Sequence, residues 1–220
     1  MYTLFIDSDI DFSPELCAAY GAKCILMPYE LKGVDYTPYV SWKEFDAHEF
    51  YETLRSGVLP STSALSPETY KDLFEPEFKE GKDILYIHFS SAMSATFNSL
   101  RLALDELKQT YPDRRVELID TKMISIGGFA IAKKCAELYK AGASMDDVIA
   151  YANEMIPHQA IYFFADNLKF FKKSGRVSGF TAFMGNLIGI KPIIYIGDDG
   201  KMTSIDKAKG RKAAIDKIME

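Results

Sequence analysis

Short apolar runs alternate with stripes of apolar residues at helical spacing from Tyr2 to Tyr139. Tyr2–Ile6 is β-prone and ends in the polar Asp7-Ser8-Asp9. Ser13-Pro14-Glu15 then reads as a helix start, with a capping hydroxyl, proline at the first helical position and an acid in the first turn. Cys24–Pro28 predicts a second strand, and Glu30–Pro38, punctuated by Gly33 and Pro38, a turn or loop. Ser41-Trp42-Lys43-Glu44 has the form of a capping box for a helix running to about Arg55, where Gly57 stops it. After the polar loop Pro60–Leu65, Ser66-Pro67-Glu68 repeats the helix-start signature, and Gly81 ends that helix.

The stretch Asp83–Arg101 is central. Ile84–Phe89 predicts a buried strand, and Phe97, Leu100, Leu104 and Leu107 mark the helix that follows. Arg115–Ile119, finishing in Asp120-Thr121, is a further strand. Ile124–Tyr139 and a segment capped at Ser144 and halted at Pro157 are helices. This alternation predicts an α/β fold, a parallel sheet flanked by helices on both faces. Ligands of such sheets collect at the carboxyl ends of the strands. Asp7-Ser8, Ser90–Ser94 and Asp120-Thr121 share that edge, and the Ser61–Ser66 loop joins them if the chain returns there.

From Ile161 the character changes. Ile161–Ala165 and Pro192–Ile196 read as strands, Asn167–Lys173 as a short helix, Arg176-Val177-Ser178 as the lead into another helix, Asp198-Asp199-Gly200 as a hairpin turn and Lys209–Met219 as a final helix. The expected organisation is an N-terminal α/β domain over 1–159 and a smaller α/β domain over 160–220. That second unit looks incomplete, because its phenylalanines need more partners to bury them.

Composition narrows the function classes. Hydrophobic residues at 48% and charged ones at 26% fit a globular chain, and the net charge of −5 argues against an extended nucleic-acid surface. Cys17, Cys24 and Cys135 form no CxxC pair and have no histidine at ligand spacing, so no disulfide framework or metal site is expected. Phe180–Ile196 is nearly all apolar, yet its glycines, Asn186 and Lys191-Pro192 speak against an integral membrane segment. The start carries no basic, cleavable leader, and a cytoplasmic location is expected.

Ser90, Ser91, Ser94 and Thr96 stand between the central strand and its helix. Hydroxyls and free N–H groups at a helix N-terminus suit an anionic group, while capping alone, with Ser94 as N-cap, explains them equally well. The wider pattern resembles the DegV family of bacterial fatty-acid-binding proteins. Thr62-Ser63 with Ser66-Pro67 is similar to its Thr-Ser-Gln-Pro-Ser loop, and Ser90–Thr96 to its Ser-Ser-Gly-Leu-Ser-Gly-Thr. Ile119–Lys122 resembles its Ile-Asp-Ser-Lys, and Asp7-Ser8 its opening Asp-Ser. Leu168, Phe171-Lys172-Lys173, Gly175–Ser178 and Ile190–Ile193 follow in family order.

The resemblance implies a two-domain protein that buries one long-chain fatty acid, such as a C16–C18 acid, as its ligand and uses no cofactor. It further implies a non-enzymatic carrier that presents the carboxylate to a separate fatty acid kinase, which makes acyl phosphate for phospholipid metabolism. No GxxxxGK[ST] occurs in the chain. By match, Thr62 and Ser94 bind the carboxylate, Ser63 and Ser91 support them, and Arg176 balances charge. Phe164, Phe183, Leu187, Ile188 and Ile193 are candidates for the acyl-chain wall. Ala92 and Ala95 stand where the family usually has glycine, and Ala64-Leu65 replaces Gln-Pro. The family's usual C-terminal segment, with a histidine of the head-group network, has no counterpart before Glu220; the expectation is a fragment or a reduced second domain.

Two rival readings use the same residues. One is a binder of a small anionic metabolite. The other is a serine hydrolase with Ser91 or Ser94 as nucleophile, His88 as base and Asp120 as orienter, although no G-x-S-x-G elbow is present.

Overall fold

The computed structural model describes residues 1–37, 45–166, 176–178 and 189–220. Its first sheet is parallel, in the order β2-β1-β6-β7, with β1 Tyr2–Asp7, β2 Lys23–Ile25, β6 Asp83–His88 and β7 Val116–Asp120. Strands β1 and β6 are buried almost throughout, the pattern of a sheet covered on both faces. The helices are α1 Pro14–Tyr20, α3 Pro67–Lys79, α4 Thr96–Thr110, α5 Ile126–Lys140 and α6 Met145–Met155. Ser13, Ser66 and Ser144 cap α1, α3 and α6, each hydroxyl accepting an N–H at 3.2 Å, as the Ser-Pro and Ser-x-x-Asp patterns predict.

The chain leaves β1 in one direction to reach β2, and β6 lies on the other side, so the strand order reverses between β1 and β6. The carboxyl ends of β1, β6 and β7 are stitched together there. Asp7 is fully buried and accepts N–H bonds from Asp9 at 3.0 Å and Phe89 at 2.8 Å, with the Tyr86 hydroxyl at 3.4 Å. Thr121 donates its N–H and its hydroxyl to the His88 carbonyl, and Ser90 donates its N–H to Met123.

The Glu30–Pro38 segment is not simply a loop. β3 Tyr29–Leu31 and β4 Val34–Tyr36 form a hairpin, and β5 Ser61–Thr62 pairs with the other edge of β3. The turn is Lys32-Gly33, with φ of 56° and 77°, the left-handed pair that a two-residue hairpin loop needs. This third sheet returns the Thr62 loop to the carboxyl edge of the first. Helix α2 spans Ala47–Arg55, capped by Asp46, whose carboxylate accepts the Glu49 N–H at 2.9 Å. The Ser41–Glu44 box lies outside the described residues.

The second sheet has the order β8-β10-β11-β9, with β8 Ile161–Phe164, β9 Val177–Ser178, β10 Ile190–Ile196 and β11 Met202–Lys209. The Asp198–Gly200 turn joins β10 to β11 as predicted, and helix α7, Arg211–Met219, follows. Val177–Ser178, expected only to lead into a helix, is paired in parallel with β11. The helices expected over Asn167–Lys173 and after Ser178 lie outside the described residues. One face of this sheet is continuous with the main core: Val177, Ile194, Ile196 and Met202 belong to the same buried cluster as Leu4, Ile87 and Ile131. The other face, Ile193 and Ala208, packs against Ala214 and Ile218 of α7.

All three cysteines are free. Among the described residues no helix is long and apolar enough to cross a membrane, and no cluster of potential ligands could hold a metal ion.

Helix α5 sits close on the 3-10 turn Ser8–Ile10 that follows β1 because Gly128 has no side chain. A Cβ there would overlap Ile10, with the Ile10 Cβ only 2.8 Å away. Gly128→Ala should therefore cost about 1–3 kcal/mol of unfolding free energy, measured by urea denaturation. Adding Ile10→Ala should make the pair of changes less than additive, since the second removes the atoms the first collides with.

Candidate functional site

A cavity of about 870 Å³ opens at the carboxyl edge of the first sheet. Thr62, Ser63, Ser94 and Arg176 line it together with Ser8, Asp9, Asp11 and Ser125. Much of its remaining wall is apolar or aromatic: Met27, Tyr29, Phe50, Phe89, Met93 and Met202. The volume falls within the roughly 300–1,000 Å³ of small-molecule sites, and a mostly apolar lining with few convergent polar groups is their usual character.

Two loops meet to build its polar part. The buried Thr96 hydroxyl accepts the Leu65 N–H at 3.1 Å and lies 3.0 Å from the Tyr70 hydroxyl, tying the Thr62 loop to the start of α4. Leu65 itself is buried, so the Ala64-Leu65 replacement is anchored by packing and by Thr96. Ala95 takes a right-handed helical conformation with φ −74°, and Ala92 has no positive φ, so neither needs to be glycine in this loop.

The hydroxyls themselves are arranged as donors. Arg176 Nη2 donates to Thr62 Oγ1 at 3.2 Å, and Arg176 Nε donates to the Met93 carbonyl at 3.1 Å. Ser94 Oγ accepts the Thr96 N–H at 3.2 Å. Each oxygen thus has a lone pair occupied by an N–H, which leaves its own O–H to donate to a guest. Ser94 is not the N-cap of α4; it stands two residues before the first helical residue, preceded by a 3-10 turn over Ser91–Met93.

Not every expected residue lies here. Ser91 is turned away to β7, its hydroxyl donating to Asp120 Oδ2 at 2.5 Å and its N–H to Oδ1 at 3.3 Å. Phe164 and Ile193 are also outside the cavity lining. They are cross-strand partners, so both side chains point to the α7 face of the second sheet. Phe183, Leu187 and Ile188 lie outside the described residues. The aromatic wall comes instead from Tyr29 and Phe50, with ring centroids 5.8 Å apart, on the third sheet and α2.

The hydrolase arrangement is not formed. His88 is buried, donates Nδ1–H to the Phe89 carbonyl at 2.6 Å and lies against the Phe97 ring at 4.3 Å. Burial pushes its pKa down. Ser91 contacts Asp120 directly, and no described hydrogen bond links His88 to Ser91 or Ser94.

Asp9 and Asp11 were not singled out from the sequence, although Asp9 directly follows the Asp7-Ser8 pair. Burial pushes the Asp9 carboxyl up to about 6; the Arg176 guanidinium opposes this, and Asp11 adds to it. Ser125, with φ 54° and ψ −134°, spans both acids, donating its N–H to the Asp9 carbonyl at 2.8 Å and its hydroxyl to Asp11. Burial drives Asp7 upward as well, against the two N–H groups that favour its ionised form.

A family model described as uncharacterised protein, DegV family, matches residues 2–220. The chain belongs to the DegV family. A DegV domain-containing protein from Clostridium perfringens is 31% identical over 219 residues, covering 100% of this chain and 75% of that protein. A DegV family protein from Thermus thermophilus, described for its fatty acid binding, superposes with a TM-score of 0.82 at 29% identity, covering 99% of this chain and 75% of the other. DegV from Bacillus subtilis, a fatty acid binding protein, gives a TM-score of 0.77 at 27% identity over 99% and 75%. This DegV chain therefore shares the fold of proteins that hold fatty acids as ligands.

The Asp9 shift carries a sign. A carboxyl whose folded-state pKa is raised favours folding fully below its ordinary value of 3.8, and that contribution is lost as pH rises through about 6. Asp9→Asn should thus stabilise the protein near pH 7.5 by up to about 3 kcal/mol. The gain should vanish below about pH 3, where both states carry a neutral acid. Urea unfolding of the two proteins at these pH values checks it.

Proposed function

We propose that this DegV chain binds one long-chain fatty acid in the 870 Å³ cavity. Its carboxylate is held by the hydroxyls of Thr62 and Ser94, Ser63 lies alongside, and Arg176 supplies the compensating charge. The observation that carries this reading is the pairing of two O–H donors, each with a lone pair already engaged, with a mostly apolar and aromatic cavity. A carboxylate taken out of water needs such donors, and hydrogen bonds to a charged partner are worth about 1.5–3 kcal/mol each. The tail contributes about 0.8 kcal/mol per buried methylene, so a dozen methylenes supply roughly 10 kcal/mol and the head chiefly sets orientation. The fatty acids held by the Thermus and Bacillus proteins support the same ligand class.

On this reading the protein is a carrier, and phosphorylation of the acid falls to a separate fatty acid kinase; the resemblance to the family is the support for that step. A small anionic metabolite is the competing ligand. It would use the same donors but would leave the aromatic wall of Tyr29 and Phe50 without a partner.

Mass spectrometry of an organic extract of the purified protein separates the two. A co-purified C16–C18 acid is expected; a polar metabolite, or no ligand, counts against the carrier. Thr62→Ala combined with Ser94→Ala should weaken palmitate binding roughly 100-fold with the fold retained, as two charge-assisted hydrogen bonds are lost. Unchanged affinity in isothermal titration would remove both residues from the head-group site.

A further inference from the structure

The Ser90–Thr96 loop and Arg176 come from elements far apart in sequence, yet the proposed site needs them in fixed register. The Asp198–Gly200 turn of the second sheet reaches across to them. Ser90 is fully buried, and its hydroxyl donates to the Gly200 carbonyl at 2.7 Å while accepting the Ala92 N–H at 3.3 Å. Gly200 has a φ of +72°, and a Cβ there would overlap Ser90 Oγ and stand 3.5 Å from the Lys122 backbone. The turn is seated so closely that only glycine fits.

From that seat the contacts run in a closed ring. Ser90 accepts the Met93 N–H at 3.1 Å through its carbonyl, and Met93 accepts Arg176 Nε–H at 3.1 Å through its own. Arg176 precedes Val177, which pairs with Met202 in the β9–β11 register. Met202 lies two residues after Gly200, whose carbonyl holds Ser90. Met202 also lines the cavity, whereas Ser90 and Gly200 do not.

We propose that the Ser90–Gly200 contact is a latch that positions the ligand donors: by closing this ring it sets the spacing between Arg176 and the Ser94 loop without touching the ligand. Ser90 is thus a positioning residue, supplied with its partner by the second sheet. The ligand part of the inference rests on the fatty-acid reading, but the ring can be tested without any ligand.

Two measurements are made on Ser90→Ala, with Thr3→Val as control. Thr3 also loses a buried hydroxyl bond, to Glu77, but at the opposite end of β1. In the ligand-free protein, exchange of the Arg176 Nε–H followed by NMR should quicken about tenfold in Ser90→Ala and stay within about twofold of wild type in Thr3→Val. The dissociation constant for palmitate should rise about tenfold in the first and stay within about twofold in the second. Gly200→Ala should reproduce the Ser90→Ala pattern. Unaltered Arg176 exchange in Ser90→Ala, or equal changes in the control, overturns the latch. Wild-type protein that fails to take up palmitate overturns the fatty-acid reading instead, and the exchange data still decide the ring. Should Ser90→Ala not fold, Ser90→Cys, which keeps only a weak donor, is measured in its place with the same criteria.

Discussion

Everything at the carboxyl edge depends on burying polar groups only where partners meet them. Thr96 is the clearest case. Its hydroxyl is almost wholly out of water, and leaving it unpaired would cost on the order of 1–3 kcal/mol. The Leu65 N–H and the Tyr70 hydroxyl meet that demand, and in doing so they bring the Thr62 loop against the start of α4. Asp7 does the same between β1 and β6 with the Asp9 and Phe89 amides. These two joints fix the loops whose residues, among those described, line the cavity.

Chemistry at the site follows from which side of each hydroxyl is occupied. Thr62 and Ser94 could serve equally as acceptors or donors in isolation. Arg176 and the Thr96 amide each take one lone pair, and each O–H stays available to donate to whatever enters. The positive charge of Arg176 is then felt partly through Thr62. Asp9 faces the same guanidinium, and burial raises its carboxyl while Arg176 opposes that rise. On the fatty-acid reading, the acid's head would meet Arg176 and the hydroxyls together.

Much of this was legible in residue order. The Ser-Pro caps, the hydroxyl loops after β6 and the Asp-Asp-Gly turn are local signals with local causes, and each stands where it was read. The β3–β4 hairpin was not legible, because strands of three residues carry too little alternation and Lys32-Gly33 is a weaker turn signal than Asn-Gly. The chain's return to the carboxyl edge through β5 is a pairing of two residues, invisible to any periodicity. Phe164 and Ile193 went astray for a different reason. β10 is buried on both faces, with Ile193, Ile194 and Ile196 all out of water, so apolar character there does not say which face a side chain serves. Only the register with β8 decides it.

The aromatic wall stands on elements of the opposite kind. α2 buries no residue completely, and the third sheet buries only Leu31. Their apolar contacts are ring against ring, Tyr29 with Tyr36 and Phe50, and Phe50 with Phe45. A helix of nine residues gains little from its own hydrogen bonds and depends on burying one face. With Phe50 and Tyr51 lining the cavity, the surface this helix has to bury is the surface an acyl chain would cover. On the reading proposed above, the hydrocarbon covers apolar surface of α2, so ligand occupancy and the stability of α2 are one equilibrium viewed from two sides.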